Sequence, residues 1–249
     1  MVITNSDAIS KTVPIEDIGF IVIENQETYI CDNKHMPQSM LLNLDSHHIQ
    51  QELFSYQINA SQPLKKQLWQ QIITYKIENQ AVLLNKQGIK NTPLNHYKSK
   101  VLSGDSDNRE AVAAAYYWKN IFDFNFKKER KGTYPNLFLN YGYIVLRAAV
   151  ARALSGSGLL NTIGIHHHNK YNAFCLADDI MEPYRPLIDA KVLEIIKNYD
   201  EQDLITPIKL DLLSVLTQTV YFEDTKSPLM VAISRTTSSL QQCFSGKSR

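Results

Sequence analysis

Over most of this chain, apolar residues recur every three or four positions, and this spacing limits the possible folds more than any other feature. In the segment 64–77 they fall at Leu64, Leu68, Ile72 and Tyr75, with charged and amide side chains between them. That pattern is typical of an amphipathic helix that buries one face. The sequence therefore predicts a domain built mainly from packed helices.

Turn residues divide the same pattern into further helices. An alanine-rich helix is predicted over 110–118, with Asp107 or Asn108 as its N-cap. The predicted helix over 178–198 contains Pro183 and Pro186, each of which removes an intrahelical hydrogen bond and bends the axis. The further predicted helices are 135–154, 178–198, 207–219 and 228–243.

The N-terminal part has a different pattern of apolar residues. Residues 18–23 form a short β-branched, apolar run bounded by Pro14 and by Glu24–Gln26, which is a strand pattern. We therefore predict an α+β protein with a small β-rich domain over residues 1–46. A large all-α domain is expected over 47–249.

Composition narrows the class of protein. Of 249 residues, 44% are hydrophobic and 20% charged, which is enough apolar content for a core and too little charge for disorder. The net charge is +1, so attraction to nucleic acid requires a local patch. Cys31, Cys175 and Cys243 are widely spaced, which argues against a disulfide framework. We found neither a signal-peptide core nor a run of about 18 apolar residues, and we expect a soluble, cytoplasmic protein.

Three features carry candidate chemistry. His166, His167 and His168 follow a predicted helix and turn, Asp179 and Glu182 lie three positions apart, and Glu110 stands in a helix of small residues. Imidazole and carboxylate ligands together suit Mg²⁺ or Mn²⁺. Such an ion can polarise a phosphodiester. Other interpretations stay open at this point: a solvated histidine turn, aspartates that cap a helix, and a surface glutamate. A zinc site from His166, His168 and Cys175 matches no familiar finger.

Charge is unevenly distributed along the chain. Segment 119–152 has seven basic and two acidic residues, whereas segment 178–203 has eight acidic and three basic residues. A DNA-processing enzyme needs both kinds of segment, because basic residues contact phosphates and carboxylates hold the ion. The alternative for the basic segment is a solvated charged loop. The candidate DNA-binding residues are Lys127, Lys128, Arg130, Lys131, Arg147 and Arg152.

Several segments, taken in order from about Pro14 to about Ser239, resemble the motifs of a known family. They are Pro14–Ile18, Cys31–Pro37, Asn108–Glu110 with Ala113–Trp118, Leu139–Tyr143, Gly164–His167, Asp179–Pro186 and Asp189. In these motifs the chain resembles the CRISPR-associated adaptation endonuclease and integrase (CRISPR-associated protein one). The residues at the motif positions are most similar to those of type II systems.

The resemblance implies the site and its activity. Glu110, His167 and Glu182 fall on the family's metal-binding and catalytic positions, with Mg²⁺ or Mn²⁺ as cofactor. Asp179 falls on an accessory carboxylate, and Asp178 has no counterpart. The implied activity is the metal-dependent insertion of short foreign DNA into a CRISPR array. The alternative is a catalytically inactive, DNA-binding scaffold subunit of the adaptation complex. A hydrolase of small phosphoesters has no supporting motif here.

The resemblance also implies a fold and partners. The family has a β-sandwich-like N-terminal domain and an all-α catalytic domain, paired as a homodimer. Two such dimers flank a small ferredoxin-like adaptation subunit, bind double-stranded prespacer and repeat DNA, and in type II systems involve other adaptation proteins. The N-terminal domain of this chain is shorter than is usual in the family. We therefore expect omitted residues, and a chain break, between Ile30 and Cys31.

Overall fold

The structure is a computed structural model that describes the backbone of four N-terminal strands and residues 49–122, 126–129, 132–222 and 225–247. The strands are β1 (Lys11–Ile15), β2 (Gly19–Glu24), β3 (Glu27–Cys31) and β4 (Pro37–Leu41). They pair antiparallel in the order β1-β2-β3-β4. The prediction of a β-rich N-terminal part is confirmed, but these strands form one sheet, so the described residues do not show a sandwich.

The expected chain break is wrong. Strand β3 runs across Ile30 and Cys31, and its pairing with β4 shifts register at this point. The irregularity therefore lies in the pairing of the two strands and not in the continuity of the chain. The division of the chain at residues 46 and 47 stays a prediction.

Helices make up most of the remaining described chain. They are α1 (Gln50–Ile58), α2 (Gln62–Lys86), α3 (Thr92–Lys98), α4 (Arg109–Asn120), α5 (Asn136–Gly156), α6 (Cys175–Ile180), α7 (Arg185–Asn198), α8 (Thr206–Ser214) and α9 (Leu229–Phe244). The predicted helical architecture is confirmed. The all-α prediction is wrong in one place, because Thr219–Phe222 (β5) and Thr225–Pro228 (β6) pair as an antiparallel hairpin.

Helix α2 is the longest described helix and lies at the centre of the site. Ser61 caps it by accepting a hydrogen bond from the Leu64 backbone N–H at 3.4 Å. Its buried stripe runs through Trp69, Ile73 and Ile77, each with 2% exposure or less. Tyr75, which we assigned to the apolar face, is 58% exposed. The buried face lies about one residue further along the sequence than predicted, because α2 packs against several elements at once. Lys76, the residue after Tyr75, is therefore buried.

Helix α4 begins with a cap that differs from the predicted one. Asn108 has a left-handed backbone and makes no side-chain cap bond. Instead, Asp105 accepts hydrogen bonds from the N–H groups of Arg109 and Glu110, at 2.8 and 3.1 Å. Two otherwise unpaired N–H groups at the helix start are satisfied in this way. The cap fixes the first turn of α4, which carries Glu110.

Helix α5 is the apolar centre of the helical part. Gly142 allows α7 to approach, since a Cβ at this position would lie 2.4 Å from Ile188 Cγ2. Contrary to our expectation, α5 is by length and composition alone a candidate membrane span, with a mean hydropathy of 1.3, and 56% of that window is buried. Such burial is usual for the core helix of a packed domain, and Phe138, Leu146 and Leu154 are completely buried in it.

The bend predicted at Pro183 is confirmed. Helix α6 ends at Ile180, a 3₁₀ turn spans Glu182–Tyr184, and α7 begins at Arg185. Proline fits the start of a helix, where its missing N–H costs nothing. The break turns Glu182 out of the line of α6, toward α2.

Candidate functional site

Two predicted site residues, Glu110 and Glu182, meet around one ammonium group. Lys76, from α2, places its Nζ 2.5 Å from Glu110 Oε1 and 2.6 Å from Glu182 Oε2. The three side chains come from α2, the first turn of α4 and the 3₁₀ turn before α7. Lys76 and Glu182 are buried, with 8% and 4% exposure. Tertiary packing therefore gathers residues that are 34 and 106 positions apart in the sequence from Lys76.

Strong charge pairing keeps this cluster ionised. Burial raises the pKa of the Glu182 carboxyl, but Lys76 and Arg185 lower it by more, so that the net pKa lies below its usual value. Burial likewise lowers the pKa of Lys76, and the two glutamates reverse the effect, so that its pKa is raised. Arg185 Nη2 lies 3.0 Å from Glu182 Oε1. Each oxygen of Glu182 thus faces its own cation.

The His167 ring contacts Asp179, the residue that we predicted as an accessory carboxylate. The completely buried Asp179 carboxylate accepts hydrogen bonds from the backbone N–H groups of Ile165, His166 and His167, at 2.6, 3.0 and 3.2 Å. His167 Nδ1 lies 2.6 Å from Asp179 Oδ1. Because the carboxylate is the acceptor, Nδ1 carries the proton, and the lone pair of Nε2 is left for another partner.

The neighbouring histidines have structural contacts instead. The ring of His166 stacks on Trp69, with centroids 4.1 Å apart and planes 3° from parallel. His168 Nδ1 pairs with the backbone carbonyl oxygen of His166. Gly164 is required here because an added Cβ would lie 2.4 Å from the His167 carbonyl oxygen. Among the three histidines, His167 therefore has the geometry of a ligand.

Charge links His167 to the glutamates. The hydrogen bond to Asp179 is the largest cause that raises the pKa of His167, and the carboxylate of Glu182 also raises it. In return, His167 lowers the pKa of Glu182. The described residues nevertheless contain no group of three His, Cys, Asp or Glu side chains close enough to hold a metal ion. The expectation that the three predicted ligands converge is therefore wrong for this conformation, in which Lys76 lies between the two glutamates.

Several predicted DNA-binding residues are engaged within the protein. Arg147 pairs with Asp178 at 2.8 Å and lies over the ring of Phe174, which anchors the segment after the histidines. Lys128 donates a hydrogen bond to Asn140 at 2.8 Å, and burial lowers its pKa to about 8. Arg152 contacts Met230. These three side chains are partly exposed and have contacts within the protein, and DNA binding by them stays a prediction.

The remaining basic residues divide into two groups. The Lys127 side chain is 87% exposed, with Glu129 3.7 Å away. Arg130 and Lys131 lie outside the described residues. DNA binding by Lys127, Arg130 and Lys131 stays a prediction. The alternative zinc site is not supported, because Cys175 is a free, buried thiol whose Sγ donates to the carbonyl of Asn172 at 3.4 Å.

A second buried polar cluster lies behind Arg185. Tyr117 and Tyr143 donate hydrogen bonds to Asp189, at 2.7 and 2.5 Å. The guanidinium of Arg185 lies 5.0 Å from the centre of the Tyr143 ring. Burial, opposed by the two hydroxyl hydrogen bonds, raises the pKa of Asp189 to about 6. Through Tyr143 the cluster contacts Arg185, which in turn pairs with Glu182.

The raised pKa of Asp189 predicts a pH-dependent stability. Folding favours the protonated carboxyl, so its contribution to the free energy of unfolding is complete below pH 3.8 and is lost as the pH rises through about 6. Asp189→Asn removes this titration. We expect the difference in free energy of unfolding, variant minus wild type, to become more positive by up to about 3 kcal/mol as the pH rises from 4 to 7, because only the wild type loses this contribution. Urea unfolding at several pH values measures this, and a constant difference would contradict it.

Sequence reasoning missed Lys76. Its position, four residues after Ile72 and next to Ile77 in an apolar stripe, was the available signal. A lysine on the buried face of a helix requires an anionic partner. The partners are distant in sequence, so only the fold identifies them.

The geometry belongs to a known class of protein. The fold resembles that of a solved casposase bound to an integration product, with 19% identity, a TM-score of 0.74 and coverage of 89% of this chain and 76% of that one. It also resembles a chain of a partial Cas6-RT-Cas1–Cas2 complex, with 18% identity, a TM-score of 0.73, and coverage of 88% and 77%. These likenesses establish the fold.

Sequence comparison establishes the family. The family model described as CRISPR associated protein Cas1 matches residues 16–205. A curated relative, the CRISPR-associated endonuclease Cas1 of Neisseria meningitidis serogroup C (strain 8013), is 38% identical over 252 residues, which cover 93% of this chain and 83% of the relative. The chain belongs to the Cas1 family. The resemblance that was drawn from the motifs is confirmed.

Proposed function

We propose that this protein is a divalent-metal-dependent DNA endonuclease and integrase that inserts short foreign DNA into a CRISPR array. The family and the casposase-like fold support an endonuclease and integrase type of activity. The observation that carries the metal-dependent mechanism is the pair of glutamates, Glu182 buried and Glu110 partly exposed, around one cationic group, beside a histidine that Asp179 orients.

The residues present fit a divalent cation. Two carboxylates and an imidazole are a suitable ligand set for Mg²⁺ or Mn²⁺. Glu182 Oε2 is buried and accepts no hydrogen bond of acceptable geometry, although Lys76 Nζ pairs with it. An anionic oxygen that faces a cation without a directed hydrogen bond is suited to a metal ligand. Glu110, His167 and Glu182 would hold the ion, which would supply Lewis-acid stabilisation of the phosphodiester oxygens.

The protein's own residues prepare the site for this chemistry. Asp179 fixes the His167 tautomer with the Nε2 lone pair available. Arg185 pairs with one oxygen of Glu182, and the other oxygen is on the Lys76 ammonium that also contacts Glu110. The reaction is attack by the 3′-hydroxyl of the incoming DNA on a repeat-boundary phosphodiester, in one transesterification. With water as the attacking group, the same site hydrolyses the bond.

The proposed assembly follows the family. We expect a homodimer, with two dimers bridged by a dimer of a small ferredoxin-like subunit, on prespacer and repeat DNA in the cytoplasm. Other type II adaptation proteins are further candidate partners. The solved complex with a Cas1–Cas2 pair supports assembly with an adaptation partner. The contacts to DNA are expected to be mainly with phosphates, and so largely independent of sequence.

One observation favours the alternative, an inactive scaffold. Lys76 lies between Glu110 and Glu182 and Arg185 pairs with the other oxygen of Glu182, so two cations of the protein balance the two carboxylates. A subunit that binds DNA and performs no chemistry could retain such an ion-pair cluster for stability alone.

Strand transfer separates the two functions. Purified protein with the small adaptation subunit, a short duplex and a supercoiled repeat plasmid should give integration products with Mg²⁺ or Mn²⁺. EDTA should abolish them and added metal should restore them, because the transferring phosphate loses and regains its Lewis acid. Duplex binding at low salt should persist in EDTA, since basic residues supply it. Binding without transfer under every metal condition would establish the scaffold instead.

A further inference from the structure

The starting observation is the position of the Lys76 ammonium. Its Nζ lies 2.5 Å from Glu110 Oε1 and 2.6 Å from Glu182 Oε2, so it bridges two carboxylates that are brought together from different elements. Its side chain is only 10% exposed. Arg185, the other cation at the site, pairs with the opposite oxygen of Glu182 and leaves this gap to Lys76.

The same two carboxylates are proposed metal ligands, and one gap cannot hold both cations. A bound Mg²⁺ lies about 2.1 Å from each carboxylate oxygen, inside the distance at which the ammonium now sits. Two positive charges in contact in a buried site repel strongly, and each would deprive the other of its oxygen ligands. Metal binding at Glu110 and Glu182 therefore requires Lys76 to leave.

We propose that Lys76 is a built-in counter-cation that occupies the metal position in the metal-free protein and is displaced when the ion binds. This inference rests on the proposed metal-dependent function. Lys76 stabilises the facing glutamates before the metal arrives and sets the concentration at which the ion can replace it. It is a positioning residue that acts through Glu110 and Glu182.

Two consequences follow from the competition. Removal of the ammonium should strengthen metal binding, because the ion no longer displaces a salt-bridged cation. It should also lower the stability of the metal-free protein, because the buried Glu182 and the partly buried Glu110 then face each other without the bridging charge. A lysine that served packing alone would predict the second effect without the first.

The affinity experiment compares Lys76→Gln with a matched control. Lys98→Gln removes another lysine that pairs with a glutamate on α2, Glu78, at 3.0 Å, where the Lys98 side chain is 29% exposed. We expect Lys76→Gln to bind Mn²⁺ at least tenfold more tightly by calorimetry, whereas Lys98→Gln matches the wild type. Thermal unfolding in EDTA should occur at a lower temperature for Lys76→Gln, and Mn²⁺ should remove most of the difference. Equal Mn²⁺ affinity in all three proteins would overturn the proposal.

The displacement itself is measured in the wild type, by acetylation of lysine amines followed by peptide mass spectrometry. Saturating Mn²⁺ should raise the labelling rate of Lys76 at least tenfold and leave that of Lys98 unchanged. Unchanged Lys76 labelling in protein that binds Mn²⁺ would overturn the displacement while the metal site stands. If neither the wild type nor Lys76→Gln binds Mn²⁺, the proposed metal-dependent function fails, and this inference fails with it.

Discussion

Glu182→Ala is expected to reduce strand transfer by several orders of magnitude. The substitution removes the buried one of the two carboxylates that would hold the ion, and metal stabilisation of a transferring phosphate is worth several kcal/mol of activation free energy. Duplex binding at low salt without metal should stay the same or tighten slightly, because one negative charge is lost. Integration into a supercoiled repeat plasmid, with the adaptation partner present, measures the first effect, and a mobility-shift titration measures the second.

Glu194→Ala is the matched control. Glu194 lies on α7, where its 58% exposed side chain pairs with Lys191 at 2.7 Å, so its loss should leave integration unchanged. Because Glu182→Ala also leaves Arg185 without its buried partner, the isosteric Glu182→Gln and a thermal unfolding curve test whether the fold survives. Full strand transfer by folded Glu182→Ala would contradict the catalytic assignment and favour the scaffold.

The helical architecture could be predicted from the sequence because periodicity is a local property. The bounds of α5 and α9 lie within two residues of the predicted ones, and the break at Pro183 follows from proline chemistry. The hairpin β5–β6 was missed because residues 219–228 follow a helix and contain only short strands of four residues each. Such short strands depend on packing against neighbours more than on their own propensity.

The site could be predicted only in part. The motif resemblance gave Glu110, His167 and Glu182, and spacing alone gave no reason to prefer His167 to its neighbours. The structure supplies that reason through Trp69, which stacks on His166, and through the contact of Asp179 with His167. Such contacts join segments far apart in the chain, and no local pattern encodes them.

A count of charges along the sequence leaves out contacts within the fold for a related reason. A linear count treats every basic residue alike, whereas Arg147 also pairs with Asp178 and Lys128 also donates a hydrogen bond to Asn140. The basic and acidic segments are partly each other's partners within the fold. A patch that binds phosphate must therefore be assigned from exposed side chains, of which Lys127 is the clearest described case.

Asp179→Asn is expected to weaken Mn²⁺ binding by roughly 10- to 100-fold, the usual effect of losing a carboxylate behind a metal-binding histidine. Asp179 accepts hydrogen bonds on both oxygens, and an asparagine must point its amide NH₂ at one group of donors. Where the NH₂ faces His167, the imidazole is favoured in the tautomer with its proton on Nε2, which then has no lone pair for the ion. Strand transfer should fall with the affinity.

The adjacent Asp178→Asn is the control, because Asp178 pairs with Arg147 and makes no hydrogen bond to His167. It should keep Mn²⁺ affinity within a few-fold of the wild type. Since Asp179 is the largest cause of the raised pKa of His167, Asp179→Asn should also lower that pKa toward 6.5, as followed by NMR titration of the ring in metal-free protein. Unchanged Mn²⁺ affinity together with an unchanged His167 pKa would show that the carboxylate shapes the loop without orienting the ligand.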